Sequence, residues 1–295
     1  MNVMMINHNE VHLWSAKVHP LTQHIAETYI TWLSDSERKR YDRLATSRGR
    51  HQFLVTRALV RSALSIYLQV NPEEVEFRYG HYGKPMLDPA CGLHFNLSNT
   101  NDLVVCLVSC SGPVGVDMEK CTRKEELFEI ANGFLSSAEY KELSFLPVNI
   151  QKERALSLWT LKEAFVKVLG IGMNCPLDTI RVEFDDQNKI SIHVDDKITP
   201  HPGQLSYGMF DYQKHRITLV IEGSVLNRLT IIEVQPFMNE PTMYCGLSLQ
   251  HRIKSEPIQS GKINHKYFHS ITNMRQTVEK RILVPINLLQ KNKLG

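Results

Sequence analysis

Two carboxylates one residue apart, Asp117 and Glu119, end the segment GVDMEK at residues 115–120. The segment follows a run rich in Val and Leu, which predicts a buried strand. On a strand, residues i and i+2 point to the same side, so the two acids project together. Neighbouring carboxylates repel each other unless a cation lies between them, and Mg²⁺ prefers such oxygen ligands. The simpler interpretation is a strand end with solvated acids paired to Lys120 or Arg123.

A second segment, WTLKEAFVK at residues 159–167, places an acid and a base at helical spacing. Glu163 and Lys167 are i, i+4 neighbours on a face nearly opposite the apolar stripe. A surface ion pair would explain them. However, Trp159 lies one turn before Glu163 on roughly the same face, and a large aromatic residue there indicates that the face is covered. In a cleft between two halves of the protein, Glu163 would supply a third carboxylate and Lys167 a cation for a phosphate.

The elements that must position these residues occur twice in the same order: helices, a turn rich in Gly and Pro, and short strands. Pairs of Ser and Glu three residues apart, at 34 and 37 and at 136 and 139, predict a capping box in each half. Long helices are predicted over about 47–70 and 150–169. The predicted strands are 11–18, 75–80, 93–98, 102–110, 114–119, 178–184, 189–194, 205–210, 216–222 and 229–234.

This repeated order predicts an α+β fold of two similar halves divided near Gly112–Pro113. The N-terminal half is residues 1–112 and the C-terminal half is residues 113–236. The remaining stretch, 237–295, contains nine Lys or Arg and three Asp or Glu. Its pattern is that of a loop or linker with one further helix within 270–290, and its role stays open.

Composition and charge exclude several classes of protein. The 295 residues are 42% hydrophobic and 22% charged, which is typical of a soluble globular protein. The net charge of +3 is too small to indicate a nucleic-acid-binding protein, and no apolar run is long enough to span a membrane. The six cysteines have neither CxxC nor zinc-ligand spacing, and no signal peptide is evident. We therefore predict reduced thiols and a cytoplasmic protein.

The two chemical segments, in this order and about forty residues apart, resemble the signature pair of the 4′-phosphopantetheinyl transferases, and the two-halved length resembles their Sfp-type branch. The resemblance covers about residues 11–235. Three further segments match the family: YGKP (82–85), HFNLSNT (94–100) and FLSSAEY (134–140). The resemblance implies the fold of that family, with two similar α/β halves related by pseudo-twofold symmetry and the active site in the cleft between them.

The same resemblance implies a reaction and its partners. An enzyme of this family transfers 4′-phosphopantetheine from coenzyme A to a serine of an apo acyl or peptidyl carrier protein, releases 3′,5′-ADP and depends on Mg²⁺. The acceptor would be an acyl carrier protein or a carrier domain of a fatty acid, polyketide, polyunsaturated fatty acid or peptide synthase. The residues do not distinguish these acceptors. Because both halves of the cleft are present in one chain, we expect a monomer.

Residue roles follow from the resemblance in the same way. Asp117, Glu119 and Glu163 would bind Mg²⁺ together with the pyrophosphate of coenzyme A. Lys167 would stabilise the leaving or bridging oxygen, and Glu163 is the first candidate for the base that accepts the serine proton. A metal-bound water is the alternative base, and Glu139 is a remoter one because its spacing from Ser136 predicts a helix cap. The predicted contacts to coenzyme A are Arg40, Lys84, Ser98, Asn99 and Lys167.

Two positions depart from the family pattern. Asn99 stands where the family has His, and an amide donates a hydrogen bond to a phosphate but carries no charge, so weaker coenzyme A binding is expected. Gln52 precedes Phe53 where the family often has Arg. The residues leave open which arginine replaces it at the 3′-phosphate. The candidates are Arg48, Arg50 and Arg57.

Two other functions remain compatible with the residues. One is a Mg²⁺-dependent phosphotransferase or phosphohydrolase of another class that uses three carboxylates. The other is a degenerate relative that binds coenzyme A or carriers without turnover, because of the changes at Asn99 and Gln52. For the transferase, the basic helix near 37–43 or the basic C-terminal stretch is expected to contact the carrier.

Overall fold

The computed structural model describes residues 5–8, 10–172, 175–184, 190–194, 205–223 and 228–234, and the backbone of three short strands beyond them. The helices are α1 (Gln23–Thr31), α2 (Asp35–Arg43), α3 (Ser47–Leu68), α4 (Lys124–Glu129), α5 (Ser137–Ser144) and α6 (Val148–Leu169). The strands are β1 (Glu10–Lys17), β2 (Arg78–Tyr79), β3 (Pro85–Met86), β4 (His94–Asn99), β5 (Leu103–Ser109), β6 (Val114–Lys120), β7 (Ile180–Phe184), β8 (Ile190–Val194), β9 (Leu205–Tyr212), β10 (His215–Glu222), β11 (Arg228–Val234), β12 (Cys245–Leu249), β13 (Ile263–Asn264) and β14 (Arg281–Ile282). None of the described helices is both long enough and apolar enough to cross a membrane.

Two sheets pack face to face between the two long helices. The first sheet has the order β14-β12-β11-β1-β5-β4, and the second has the order β6-β10-β9. Alternate residues of β5 separate cleanly: Leu103, Val105 and Leu107 lie in the core between the sheets, whereas Val104 and Cys106 pack with α3. Because α6 covers the outer face of the second sheet, the layers run helix, sheet, sheet, helix. The predicted α+β class is confirmed.

Both predicted capping boxes are present. Ser34 and Glu37 exchange hydrogen bonds between side chain and backbone at the start of α2, and Ser136 and Glu139 do the same at the start of α5. Each box satisfies two backbone N–H groups that a helix N-terminus otherwise leaves without partners. The two halves therefore begin their long helices in the same way, with a short capped helix before a helix of 22 residues.

A buried ion pair repeats in the two halves as well. Glu37 of the first box binds Arg61 of α3 at 2.6 Å, and Glu139 of the second binds Lys162 of α6 at 2.7 Å. All four side chains are at most 2% exposed. In both halves the cation lies at the same position of its 22-residue helix, fourteen residues after the first. The two halves are therefore similar in these buried ion pairs as well as in the order of their elements.

Two parts of the chain differ from the sequence-based prediction, and a third predicted element lies outside the described residues. The strand predicted over 75–80 is reduced to β2, because Arg61 binds the carbonyl oxygen of Val75 and takes that residue from the ladder. The loop predicted after 236 contains β12. The helix predicted within 270–290 falls outside the described residues, except for β14.

Strand β11 lies in the sheet of the first half, although it was assigned by sequence to the second. It pairs in parallel with β1, from Glu10 opposite Arg228 to Ala16 opposite Val234. Its apolar alternation is suited to burial in either sheet, so the sequence pattern did not indicate which sheet it would join. The division of the chain at Gly112–Pro113 stays a prediction.

A polar cluster ties the turn between β4 and β5 to the second sheet. Asp102 accepts a hydrogen bond from Thr100 at 2.8 Å and pairs with Lys120 at the end of β6 at 2.9 Å. Its other partner is His215, at the start of β10, at 3.2 Å. Burial alone would raise the pKa of Asp102, but the hydrogen bonds from Lys120 and Thr100 and the charge of His215 lower it to about 2.

We predict that Asp102→Asn lowers the free energy of unfolding near neutral pH, by about 1 kcal/mol or less because the carboxylate is half exposed. The folded pKa lies below the unfolded value, so the stabilisation is present above the unfolded pKa and is lost as the pH falls through about 2. Urea unfolding at about pH 7 and about pH 3 should show the difference shrinking at the lower pH. Asp42→Asn, on the exposed face of α2, is the control; equal losses at both pH values would contradict the assignment.

Candidate active site

The predicted acidic pair lies on the face of β6 that α6 covers. Val116 and Met118 are buried in the core between the two sheets, so the alternate residues Gly115, Asp117 and Glu119 face the helix side. This strand is the edge of the second sheet, and β4 is the edge of the first. The site therefore lies where two sheet edges and α6 meet.

Gly115 explains why a glycine precedes the acids. A Cβ on Gly115 would lie 2.0 Å from the carbonyl oxygen of Ala164 and 2.6 Å from the backbone nitrogen of Val168. No side chain fits in that space, so the backbone of α6 passes directly against β6. The close approach brings Glu163 and Lys167 to the level of the acids on the strand.

Asp117 is held by one of its two oxygens. Its Oδ1 accepts hydrogen bonds from Lys167 Nζ at 2.7 Å and from Ser98 Oγ at 3.2 Å. Lys167 also donates to the carbonyl oxygen of Val116 at 3.1 Å. The second oxygen, Oδ2, is buried and has no hydrogen-bond partner within the described residues. A buried carboxylate oxygen without a donor is costly, so this atom is suited to an added cation.

Glu119 is arranged in the same way. Arg123 Nη1 lies 2.6 Å from Glu119 Oε1, and Trp159 Nε1 donates to that same oxygen at 3.2 Å. The indole ring packs edge-on against Phe134, with the ring centres 4.9 Å apart. Burial raises the pKa of Glu119 and Asp117 raises it further, while Arg123 opposes both. Both donors occupy Oε1, which leaves Oε2 for another ligand.

Glu163 is the least committed of the three acids. Its half-buried carboxylate forms no hydrogen bond or ion pair with any residue that the structure describes. Burial raises its pKa, the charges of Asp117 and then Glu119 raise it further, and Lys167 lowers it. The charges of Asp117 and Glu119 on β6 therefore act on the carboxylate of Glu163 on α6.

The donor set is suited to Mg²⁺, although it is not a closed cage. Within the described ranges, no three His, Cys, Asp or Glu side chains are arranged to hold a metal ion by themselves. Mg²⁺ does not require such an arrangement, since it keeps several waters and is bound by one or two carboxylates plus substrate phosphates. Oxygen ligands, raised pKa values and the bare Oδ2 of Asp117 all fit this ion.

Three of the residues predicted to contact coenzyme A lie around this site and differ in their burial and their hydrogen-bond partners. Ser98 is buried in the network of Asp117, whereas Asn99, the next residue, is exposed at the end of β4. The ammonium group of Lys84 binds carbonyl oxygens at the end of α6 and the start of β6. Phosphate contacts by these residues stay predictions.

Two arginines of the first half lie at one aromatic ring. The guanidinium of Arg40 lies 5.6 Å from the centre of the Phe53 ring, and that of Arg57 lies 5.3 Å from it. Arg40 is exposed, while Arg57 is buried 3.5 Å from Glu37, with its Nε and Nη1 lacking hydrogen bonds among the described residues. Gln52 donates to the carbonyl oxygen of Thr100, so this cluster adjoins the end of β4. Arg48 and Arg50 are exposed near the start of α3.

Glu139 is fully engaged in structure. Its Oε2 binds Lys162 at 2.7 Å and accepts from the Ser136 backbone at 2.7 Å, and its Oε1 accepts from the Val182 backbone at 2.8 Å. With both oxygens occupied in the core, it is not placed to accept a proton from a substrate. Sequence reasoning missed the burial of Lys162. The signal was present, because Lys162 falls four residues after Leu158 on the apolar stripe.

Both halves of the chain are similar to known proteins. Residues 113–220 match the model of the 4′-phosphopantetheinyl transferase superfamily, and residues 16–111 match that of the 4′-phosphopantetheinyl transferase N-terminal region. The chain is 32% identical to the 4′-phosphopantetheinyl transferase Sfp of Bacillus subtilis over 181 residues, which is 61% of this chain and 80% of that protein. It is 33% identical to the 4′-phosphopantetheinyl transferase HetI of Nostoc over 168 residues, 56% of this chain and 70% of that one.

Solved structures with some likeness are holo-acyl-carrier-protein synthases. One from Bacillus anthracis, in complex with CoA, has a TM-score of 0.33 and 20% identity and covers 38% of this chain and 96% of that chain. One from Helicobacter pylori, in complex with coenzyme A, has a TM-score of 0.31 and 21% identity and covers 37% of this chain and 98% of that one. Both cover less than half of this chain.

We predict that Gly115→Ala displaces α6 from β6 and lowers the free energy of unfolding by about 1–3 kcal/mol, the usual cost of overpacking. Gly133→Ala is the matched control, because a Cβ there would meet no atom within 4 Å. Urea unfolding of both variants measures the difference. Equal stabilities of the two variants would show that the close approach at Gly115 is not a constraint.

We predict that Trp159→Phe weakens Mg²⁺ binding by roughly 10-fold or more, the usual effect of removing a hydrogen bond that orients a ligand. Phenylalanine keeps the ring contact with Phe134 but loses the N–H that holds Glu119. Calorimetric titration with Mg²⁺ measures the affinity, and Trp32→Phe, at the residue that caps the C-terminus of α1, is the control. Unchanged Mg²⁺ affinity with an unchanged free energy of unfolding would remove Trp159 from the site.

Proposed function

The chain belongs to the 4′-phosphopantetheinyl transferase family, and from this we infer that it transfers the 4′-phosphopantetheine of coenzyme A to a serine of an apo carrier protein. The leaving product is 3′,5′-ADP. The observation that carries the proposal is that the face of β6 with Asp117 and Glu119 packs against the helix that carries Glu163 and Lys167, with Lys167 bound to Asp117. A diphosphate substrate needs such a balance of oxygen ligands and a cation.

Asp117, Glu119 and Glu163 are the proposed ligands of Mg²⁺. When bound, the ion would neutralise charge on the transferred and leaving parts of the pyrophosphate. Two of these carboxylates already commit one oxygen each to protein donors. Those donors fix the side chains in place, so little side-chain freedom is lost on binding.

Lys167 and Glu163 are the proposed catalytic groups. The ammonium of Lys167 is partly exposed beside Asp117 and donates to Asp117, Val116 and Ser98. Its positive charge would stabilise negative charge on a phosphate or leaving oxygen, which would take the place of one of these acceptors. The serine hydroxyl of the carrier is a weak nucleophile until a base accepts its proton. Glu163 suits that role because its pKa is raised and its carboxylate binds no described residue.

The first half is proposed to contact the nucleotide part of coenzyme A. Arg40 and Arg57 over Phe53 concentrate positive charge beside the end of β4, where Asn99 is exposed. The exposed guanidinium of Arg40 favours this cluster as the 3′-phosphate contact, with the buried Arg57 adding positive charge beside it. Residues 1–112 would then serve the nucleotide, residues 113–236 the metal and the chemistry, and residues 237–295 a role still open.

The proposed acceptor is an acyl carrier protein or a carrier domain of a synthase. The exposed basic side chains of α2, among them Lys39 and Arg43, are proposed to contribute to its docking. Opposite charge on the two surfaces would speed their encounter. All residues of the proposed site come from one chain, which supports a monomeric enzyme.

We predict that Asp117→Ala and Glu163→Gln each lower the rate of transfer by about 100-fold or more, because each removes charge stabilisation at the reacting diphosphate. Glu125→Gln, an exposed carboxylate on α4, is the control. The protein is incubated with coenzyme A, Mg²⁺ and a panel of apo carriers, and intact mass reports the modified serine. Normal transfer by either variant would refute the metal assignment.

The same assay separates the two alternative functions. Release of free phosphate without any carrier modification would indicate a phosphohydrolase of another class. Coenzyme A binding without transfer to any carrier at saturating Mg²⁺ would indicate a degenerate relative.

A further inference from the structure

The ammonium group of Lys84 is fully occupied by backbone carbonyl oxygens. It donates to the carbonyl of Lys167, to that of Val168 at 3.3 Å and to that of Val114 at 3.2 Å. A lysine ammonium has three N–H donors and no acceptor. Each donor therefore has a protein partner, and a phosphate would have to displace one of them.

Two of these partners are the carbonyls that a helix end leaves open. The last four carbonyls of an α-helix lack intrahelical partners, and the negative end of the helix dipole favours a cation there. The backbone N–H of Gly170 satisfies the carbonyl of Val166, and Lys84 takes the next two. Gly170 has a positive φ of 70°, and a Cβ on it would come within 3.4 Å of the Lys84 side chain.

The third partner joins this helix end to the strand of the active site. Val114 is the first residue of β6, three residues before Asp117, and Lys167 is itself the proposed catalytic cation. Lys84 reaches both from the connection between β2 and β3 in the first half, 83 residues before Lys167. Burial lowers the pKa of Lys84 to about 8, with Glu222 opposing. A lysine buried at this cost, with each donor used, is typical of a structural clamp.

We propose that Lys84 is a positioning residue that clamps the last turn of α6 to the start of β6, and so sets Lys167 and Glu163 over the acidic pair. This proposal rests on the transferase function. It adds that a residue of the first half, Lys84, holds the elements of the second half that carry the proposed catalytic groups. It replaces the expectation that Lys84 binds a phosphate of coenzyme A. The clamp and the ligand roles make opposite predictions for the protein without nucleotide.

Hydrogen exchange of the nucleotide-free protein tests the clamp. In Lys84→Met, backbone amides of residues 166–170 should exchange at least about 10-fold faster than in the wild type, because two helix-end carbonyls lose their donor. Lys84→Arg should restore much of the protection, since a guanidinium also donates to carbonyls. Arg78→Met is the matched control, because Arg78 lies in the same hairpin and, among the described residues, its side chain forms an exposed pair with Asp88 alone. If Lys84→Met does not fold, Lys84→Gln takes its place with the same measurement.

Binding and kinetics distinguish the two roles further. The clamp predicts that kcat for transfer falls roughly 10-fold or more in Lys84→Met, while the Kd for 3′,5′-ADP measured by calorimetry changes less than about 3-fold. Unchanged exchange in the nucleotide-free protein, together with a large rise in that Kd, would overturn the clamp in favour of a phosphate ligand. The exchange measurement needs no activity, so it decides the role of Lys84 even if the wild type transfers nothing.

Discussion

The contact of α6 with β6 at Gly115 is the constraint on which the site depends. Helices ordinarily pack on sheets through their side chains, whereas here the backbone of one turn of the helix lies directly against the strand. That spacing leaves no freedom to slide the helix along the strand, because the space is closed by backbone atoms of Ala164 and Val168. Glu163 and Lys167 take their height above the strand from it. The glycine is therefore a requirement for placing Glu163 and Lys167 beside the acids of β6.

The donors that bind the carboxylates of Asp117 and Glu119 all contact one oxygen of each group. Asp117 and Glu119 each bind two protein donors through a single oxygen, and the other oxygen of Asp117 is left bare in a buried position. Such an arrangement orients the carboxylates without satisfying them. Burial, and then the charge of Asp117, raise the pKa of Glu119 and Glu163. A cation beside them would relieve this repulsion. Protein donors therefore fix one oxygen of Asp117 and one of Glu119, and the other oxygen of each is the one proposed to bind the metal.

Much of the fold follows from local rules in the sequence. The two capping boxes, the two long helices and the alternation of β5 are decided by residues near one another in the chain, and the structure has all of them. The acids of β6 and the Glu and Lys of α6 were found in the same way, by the periods of strand and helix.

What the sequence did not indicate depends on contacts across long stretches of chain. Nothing near Lys84 predicts that its amine meets carbonyls of α6, because those atoms carry no residue-specific signal. The hydrogen bond from Ser98 to Asp117 was not indicated either, because this partner is fixed only when two sheet edges meet. The contact of Ser98 with the nucleotide stays a prediction. The spacing of Lys162 from Leu158 indicated its burial, but not that its partner would be Glu139, 23 residues away.

The parallel pairing of β11 with β1 makes the two halves inseparable as folding units. The N-terminal half alone would present β1 as a bare edge, with unpaired backbone groups open to any other strand. The C-terminal segment would carry β11 without a neighbour on that side. The two halves resemble each other, but neither contains all the strands of its own sheet. We expect a cut between the halves to give two aggregation-prone fragments, not two independently folding domains.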